Sequence, residues 1–268
     1  MDMNRTKDTL LFDLEGTLVH SPAETGDLRE AIMIALTEAQ RVIAKDGHVP
    51  LTPGEMLLAI DAEAKRHGDG SVRGLRDRLI SVFSLPANVK PHVLDAACAA
   101  FTKSFLARVF AYKDVVPALH ALKARGYRLA VLANVVWGTP AEMWREKLER
   151  IGLGGYFDEI IFCGDAGACM PHSAAFKHAL NKLEAYPEQC VYIGGRQEHV
   201  SAAAQLGIDP VMVSRGGTIG SPMETVRTLL ELPGLMKSRA DILASYKGAQ
   251  LVPATGGGGA RRPFVAME

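Results

Sequence analysis

The chain has 268 residues, 48% of them hydrophobic and 22% charged, so it is long enough to bury a sizeable core as one large domain or as a domain with a smaller one. Its 30 Lys and Arg residues balance its 30 Asp and Glu residues, which excludes the basic surplus typical of proteins that bind nucleic acid or an anionic membrane surface. A polar N-terminal segment and the lack of any run of eighteen apolar residues predict a soluble, cytoplasmic protein.

The first predicted element is a short buried strand that ends on two carboxylates. Residues 10–12 are apolar, and Asp13 and Glu15 follow at once, before the turn formed by Gly16 and Thr17. In an open parallel α/β sheet the ligand crevice lies beyond the carboxyl ends of the strands. We therefore expect Asp13 to lie at a crevice.

The next ninety or so residues have helical patterns, with no predicted strand among them. Thr52 is a capping residue, Pro53 occupies the first helical position, and Glu55 completes a capping box. The predicted helices span residues 27–45, 52–66, 72–83 and 91–110. Basic side chains in this region either meet an anion or, more simply, lie on a solvated helix face: His67, Arg73, Arg76 and Arg78.

From residue 113 onward, predicted helices and strands alternate. The helices span residues 115–125, 141–150, 173–183 and 199–206, and the strands span residues 127–133, 159–163, 189–193 and 209–213. Strands separated by single helices predict right-handed crossovers and a parallel sheet, and therefore the α/β fold class.

Three stretches of the chain follow a known family pattern. Residues 13–18 are similar to a motif with an aspartate, one residue, usually a second aspartate, and then Gly-Thr-Leu. Residues 121–134 and 155–158 match further parts of the same pattern. Together they resemble the haloacid dehalogenase-like superfamily. The resemblance implies a Rossmann-like parallel-sheet core with helices on both faces and an all-helical cap of the C1 type inserted after the first strand.

The same resemblance implies how the chain is divided. It places the α/β core in residues 1–19 and 112–220 and the helical cap in residues 20–111. Residues 221–268 form a C-terminal helical extension with a Gly-rich tail, and residues 223–245 are predicted to be helical in two pieces around Pro233. For this extension, packing on the core and self-association are the alternatives, and packing is the commoner outcome.

The resemblance also implies a catalytic set for phosphoryl transfer. The family uses a carboxylate nucleophile, a second carboxylate as general acid and base, a hydroxyl and a lysine that hold phosphoryl oxygens, and aspartates that help to bind Mg²⁺. Asp13 matches the nucleophile, and Glu15 occupies the acid/base position with one extra methylene. The candidates for substrate or anion binding are Gly16, Thr17, Asn134, Arg196 and His199.

Four positions depart from the family pattern. Ala133 stands where the hydroxyl is expected and Met170 where the lysine is expected, while Gly195 and His199 replace the two aspartates of the fourth motif. Asp13 is then only a weak metal candidate, so we expect Mg²⁺ binding to be weak or absent and predict no cofactor. For Arg196 two alternatives are open: it supplies a replacement cation at the site, or it is a solvated loop residue.

The cysteines give no sign of a metal site or of a secreted disulfide scaffold. Their spacing lacks the close pairs that zinc requires, and no base is evident beside them. We expect free thiols that are buried, with thiol chemistry ranked low: Cys98, Cys163, Cys169 and Cys190.

Two functional hypotheses follow from the losses around Asp13. The first is a catalytically impaired or inactive protein that acts in binding, regulation or assembly. The alternative is a divergent hydrolase, either a phosphatase or a metal-independent dehalogenase-like enzyme, with Asp13 as nucleophile. Because four partners are lost together, the sequence favours the first. The expected partner is a small anionic ligand or a protein. Self-association is possible, and neither nucleic acid nor a membrane is expected as a partner.

Overall fold

The central feature of the fold is a sheet of six parallel strands. A computed structural model of the chain describes residues 7–22, 26–65, 73–216 and 223–239. The strand order is β5-β4-β1-β6-β7-β8, formed by β1 (Thr9–Phe12), β4 (Arg128–Ala133), β5 (Glu159–Phe162), β6 (Cys190–Gly194), β7 (Asp209–Val213) and β8 (Thr225–Val226). The prediction of an α/β fold with a parallel sheet is confirmed.

Helices connect successive strands of this sheet. They are α5 (Val115–Lys123), α6 (Ala141–Arg150), the single turn α7 (Cys163–Ala166), α8 (Ser173–Lys182) and α9 (Gln197–Gln205). The predicted boundaries differ from these by a few residues at most.

Strand β1 lies in the middle of the sheet, between β4 and β6. Leu11 is paired with Ala130 on one side and with Tyr192 on the other. These residues point to one face, where they belong to a buried apolar cluster that includes Phe176 of α8. Because both faces of β1 are covered, its four residues are fully buried, as expected for the central strand of a parallel sheet.

A helical insert follows the first strand, as predicted. Its four helices are α1 (Leu28–Lys45), α2 (Pro53–Lys65), α3 (Leu75–Val82) and α4 (Pro91–Leu106), bounded by the antiparallel pair β2 (Val19–His20) and β3 (Phe110–Ala111). The capping box forms: the Thr52 N–H donates to Glu55 Oε2 at 2.7 Å, and the Glu55 N–H donates to Thr52 Oγ1 at 3.3 Å. Helix α4 ends before residue 110 because that residue pairs with β2. The role of the insert as a cap stays a prediction.

The C-terminal region differs from its prediction. Residues 225–226 form strand β8 instead of a helix, because Met212 N–H donates to Glu224 O and Ser214 N–H to Val226 O along β7. A helical span begins only at residue 232, after a 3₁₀ turn over Leu229–Glu231. The chain divides into two units, residues 1–233 and 234–268, and the described part of the second, residues 234–239, is helical. The rest of the predicted extension lies outside the described residues.

The part of the chain that the structure describes contains no helix with both the length and the apolar character needed to cross a membrane.

A partly buried ion pair between Asp114 and Arg215 links the loop after β1 to the end of β7. Arg215 Nη1 donates to both carboxylate oxygens of Asp114 at 3.0 Å, and its Nη2 donates to Thr17 O at 2.7 Å. The Thr228 hydroxyl and the Leu229 N–H also donate to Asp114 Oδ2, at 2.7 and 2.8 Å. Burial raises the pKa of Asp114, but the hydrogen bonds from Thr228 and Arg215 outweigh it, so this pKa lies below its usual value.

The Asp114→Asn variant is expected to lower the free energy of unfolding by about 2 kcal/mol at pH 7, because charge-assisted hydrogen bonds are lost. For a chain of this size that is a fall of roughly 4–8 °C in the unfolding midpoint. Since the folded-state pKa is lowered, the contribution of Asp114 is complete above the pKa of the unfolded chain, about 3.9, and is lost as the pH falls through the folded-state value. Thermal unfolding of both proteins between pH 7 and pH 3.5 should show the difference closing in acid.

The matched control is Asp61→Asn, because Asp61 pairs with Arg29 while their side chains are 51% and 54% exposed. An exposed pair of this kind is worth about 0–1 kcal/mol. An equal loss of stability in the two variants would contradict the assignment of Asp114.

Candidate active site

Asp13 lies directly after β1, at the carboxyl end of the central strand. Its backbone N–H donates to Ile193 O at 2.8 Å, which continues the pairing with β6 by one residue. The side chain is buried, with 4% of the residue exposed. The loops after β4 and β6 therefore border this carboxylate, as the rule for open parallel sheets predicts.

The loop after Asp13 folds back on itself. Leu18 and Val19 both donate backbone N–H groups to Leu14 O, at 2.8 and 3.0 Å, and Gly16 adopts a φ of 73°, which favours glycine. Glu15 and Thr17 are buried in this loop. Within the described part of the chain, Thr17 Oγ1 is a buried hydroxyl oxygen without a hydrogen-bond partner.

Two groups hold the oxygens of the Asp13 carboxylate. The Leu14 N–H donates to Oδ1 at 2.8 Å. Nδ1 of His199 lies 3.2 Å from Oδ2, and His199 itself is only 4% exposed. His199 is the third residue of α9, so the carboxylate also lies near the N-terminus of that helix, where negative charge is favoured. The structure thus brings together Asp13 and His199, and the role of His199 in binding an anion stays a prediction.

Tyr192 is the site residue that sequence reasoning missed. It is fully buried, and its hydroxyl donates to Met170 Sδ at 3.3 Å. Burial and the negative charge of Asp13 raise the pKa of Tyr192 well above its usual value. The alternation of side chains along β6 was a usable signal, because it puts residues 192 and 194 on the same face as residues 11 and 13.

Met170 and Asn134 are joined by two backbone-to-side-chain hydrogen bonds. Asn134 Nδ2 donates to Met170 O, and the Met170 N–H donates to Asn134 Oδ1, both at 2.9 Å. The amide of Asn134 therefore links the loop after β4 to the segment before α8, and its role in binding an anion stays a prediction. Ala133 is buried and offers no side-chain donor.

Arg196 lies at the rim of the site. It is exposed, although its positive charge still acts to lower the pKa of Tyr192. Next to it, Gly195 has space for a Cβ, because an added Cβ would lie 3.4 Å from Gly16 O, its nearest neighbour. Crowding at the Cβ therefore does not explain the absence of a side chain at residue 195.

The four cysteines are free, as predicted, and all but Cys169, which is half-buried, are buried. Cys163 is the first residue of α7, and its interaction with Cys169, opposed by burial, lowers the pKa of Cys163 to about 7. Burial raises the pKa of Cys98 to about 11 and that of Cys190 to about 12.

The helical insert contacts the core at the loop after β4. The ring of Trp137 stacks on Phe101 of α4, with ring centroids 5.5 Å apart and an angle of 7° between the rings. Arg78 of α3 lies over the same indole at 5.7 Å, and Nη1 of Arg78 is 3.6 Å from Glu63 Oε2. Arg78 is 1% exposed, so the expectation of a solvated face is wrong for this arginine. His67 lies outside the described residues.

The donor set around Asp13 does not fit Mg²⁺, which requires about six oxygen ligands near 2.1 Å. One carboxylate oxygen of Asp13 faces the His199 ring nitrogen, and Gly195 brings no oxygen to the position where the family has an aspartate. Over residues 7–22, 26–65, 73–216 and 223–239, no cluster of three His, Cys, Asp or Glu side chains has the geometry of a metal site. Weak or absent Mg²⁺ binding stays a prediction.

A family model described as haloacid dehalogenase-like hydrolase matches residues 7–207. A glyceraldehyde 3-phosphate phosphatase of Methanopyrus kandleri is 27% identical over 208 residues, which cover 77% of this chain and 84% of that protein. A phosphoglycolate phosphatase of Colwellia psychrerythraea is 29% identical over 221 residues, which cover 80% of this chain and 87% of that protein.

Solved structures share the fold. A HAD phosphatase from Thermococcus onnurineus has a TM-score of 0.59 at 23% identity, covering 85% of this chain and 97% of its own. A 2-haloacid dehalogenase from Pseudomonas syringae pv. Tomato has a TM-score of 0.64 at 20% identity, covering 87% of this chain and 99% of its own.

These relatives correct the functional hypothesis that the sequence favoured. An impaired or inactive protein acting in binding, regulation or assembly was expected because four motif positions are lost. That hypothesis is wrong: the related proteins are named as phosphatases, and they favour the alternative of a divergent hydrolase. The number of lost motif residues was a misleading guide because it did not consider the other residues around Asp13.

The Gly194→Ala variant is expected to lower the free energy of unfolding by roughly 1–3 kcal/mol, because its Cβ would lie 2.8 Å from Tyr192 Cε1 in a close-packed region. Gly195→Ala is the matched control one residue later, where the added Cβ meets only ordinary contacts; its change should stay within about 0.5 kcal/mol. Chemical denaturation of the two variants measures both. Equal stability would mean that Tyr192 does not fill the space above Gly194.

Proposed function

The chain belongs to the haloacid dehalogenase-like hydrolase family, and we propose that it is a divergent hydrolase of phosphate monoesters that uses Asp13 as its nucleophile. The observation that carries the proposal is the position of Asp13: a buried carboxylate at the end of the central strand, 3.2 Å from a ring nitrogen of His199. A carboxylate that accepts hydrogen bonds from fixed donors is held in one orientation, as a nucleophile requires.

The reaction proceeds by two displacements at phosphorus. In the first, an oxygen of Asp13 forms a bond to phosphorus while the bond to the ester oxygen breaks, and the leaving oxygen takes a proton from Glu15. In the second, water attacks the phosphorus, gives its proton to Glu15, and releases inorganic phosphate and the free Asp13 carboxylate. Glu15 suits this exchange because it is a carboxyl group two residues from the nucleophile in the same loop.

His199 supports the nucleophile in this proposal. With a proton on Nδ1 it donates to Asp13 Oδ2 and fixes the carboxylate, and as an imidazolium it adds positive charge beside the phosphoryl group. The N-terminus of α9 acts in the same direction, since its backbone dipole favours negative charge. No step in this account passes through Mg²⁺.

The proposed substrate class is a small phosphorylated metabolite. The supporting relatives are named for glyceraldehyde 3-phosphate and phosphoglycolate. In this chain, Arg73 and Arg78 of the insert both pair with Glu63. The positive charge of Arg78 acts to lower the pKa of Cys169, the residue before Met170, so a cation of the insert lies near the segment before α8 and suits an anionic substrate.

Partners other than this ligand are not identified by the proposed substrate class. The absence of nucleic-acid and membrane partners is a prediction that rests on composition and charge. Binding of a protein, self-association and a cytoplasmic location also stay predictions.

Asp13→Asn is expected to abolish turnover on a panel of phosphate monoesters, phosphoglycolate and glyceraldehyde 3-phosphate included, because a neutral amide cannot attack phosphorus. Phosphate release by the purified wild-type protein and variant measures it. The matched control is Asp61→Asn, the same change on the exposed side of the insert, and it should retain wild-type turnover. If wild type and Asp13→Asn release phosphate equally on every ester, the proposed function fails.

Removal of divalent cations is expected to leave turnover within about twofold of the untreated enzyme, because the donor set beside Asp13 does not suit Mg²⁺. The assay compares wild type with excess chelator, without it, and with added Mg²⁺. An activity that disappears with chelator and returns with Mg²⁺ would contradict the assignment of the cationic role to His199.

A further inference from the structure

We propose that Tyr192 is a further catalytic residue, whose hydroxyl donates a hydrogen bond to a phosphoryl oxygen as Asp13 attacks. The inference rests on the proposed function and deepens it. It supplies a donor at a site where Ala133 and Met170 provide neither the hydroxyl nor the ammonium group that phosphoryl oxygens need.

The position of Tyr192 is set by the sheet. It is paired with Leu11, two residues before Asp13, so both side chains leave the same face of neighbouring strands. The ring packs edge-on against Phe176, with ring centroids 5.3 Å apart. Gly194 makes room for it, because a Cβ there would lie 2.8 Å from the ring and 3.2 Å from the hydroxyl oxygen. The hydroxyl thus lies beside residue 194 at the carboxyl end of β6, next to the end of β1 where Asp13 follows, and it contacts Met170 of the apolar cluster.

The hydroxyl has a hydrogen-bond partner that it can exchange for a better one. It donates to the thioether of Met170 at 3.3 Å, and a thioether is a weak acceptor. Asp13, the proposed nucleophile, is close enough for its negative charge to raise the pKa of this phenol. When a phosphoryl group arrives, one of its charged oxygens is a stronger acceptor than the sulfur of Met170, so the exchange of partners is favourable.

The protonation state agrees with this role. The pKa of Tyr192 is raised by burial and by the negative charge of Asp13, so the phenol keeps its proton at neutral pH and remains a donor throughout the reaction. A donor that packing holds in place needs no reorganisation during the reaction, and such donors stabilise the transition state more than the ground state.

The test is Tyr192→Phe, which keeps the ring against Phe176 and removes only the hydroxyl. With 4-nitrophenyl phosphate as substrate, kcat should fall roughly 10- to 100-fold while KM changes less than about threefold. Inhibition by orthovanadate, which imitates phosphorus at the point of displacement, should weaken by about tenfold. The unfolding midpoint should stay within about 5 °C of wild type.

The matched control is Tyr127→Phe, the same loss of a hydroxyl in the turn before β4, which should leave kcat and vanadate inhibition unchanged. If Asp13→Asn loses turnover while Tyr192→Phe keeps wild-type kcat and vanadate inhibition, the proposed function stands and the role of Tyr192 is overturned. If wild type itself shows no turnover above Asp13→Asn, the function fails first and this inference fails with it.

Discussion

A carboxylate buried at the end of a central strand is the constraint from which the rest of this site follows. An ionised group that leaves water loses several kcal/mol of solvation unless other groups replace the lost hydrogen bonds. Asp13 receives them from the Leu14 N–H and from the His199 ring. The two partners belong to different elements, so the loop after β1 and helix α9 must both be in place before the buried Asp13 side chain is stable.

The same accounting explains why the departures from the family pattern are compatible with a folded site. Loss of a lysine and two aspartates removes charges of both signs, and Met170 and Gly195 replace two of them with neutral groups. The remaining negative charge on Asp13 then needs only the imidazole and neutral donors around it. A single restored charge would upset this balance, since an added aspartate at residue 195 would stand beside Asp13 without a cation between them.

The sequence predicts the fold well where the determinants are local. The apolar run before Asp13, the capping box of Thr52 and Glu55 and the alternation after residue 113 all depend on neighbours in the chain, and all are found in the structure. Strand β8 was missed because its pairing with β7 is a tertiary contact that overrides helical periodicity. Tyr192 was missed because its role depends on the register between β1 and β6, which a motif comparison of aligned positions does not consider.

The helical insert matters more in such a site than in one with a metal ion and a lysine. Arg78 is buried against Trp137 and paired with Glu63, and a buried ion pair is a costly way to pack two helices unless it serves a further purpose. On the proposed function, that purpose is to hold the positive charge of Arg78 and the ring of Trp137 at the loop after β4 while water is excluded. Exclusion of water lowers the local dielectric, and each remaining hydrogen bond to the phosphoryl group then becomes stronger. On the proposed function, an enzyme with few cations therefore depends on the exclusion of water to make neutral donors such as Tyr192 sufficient.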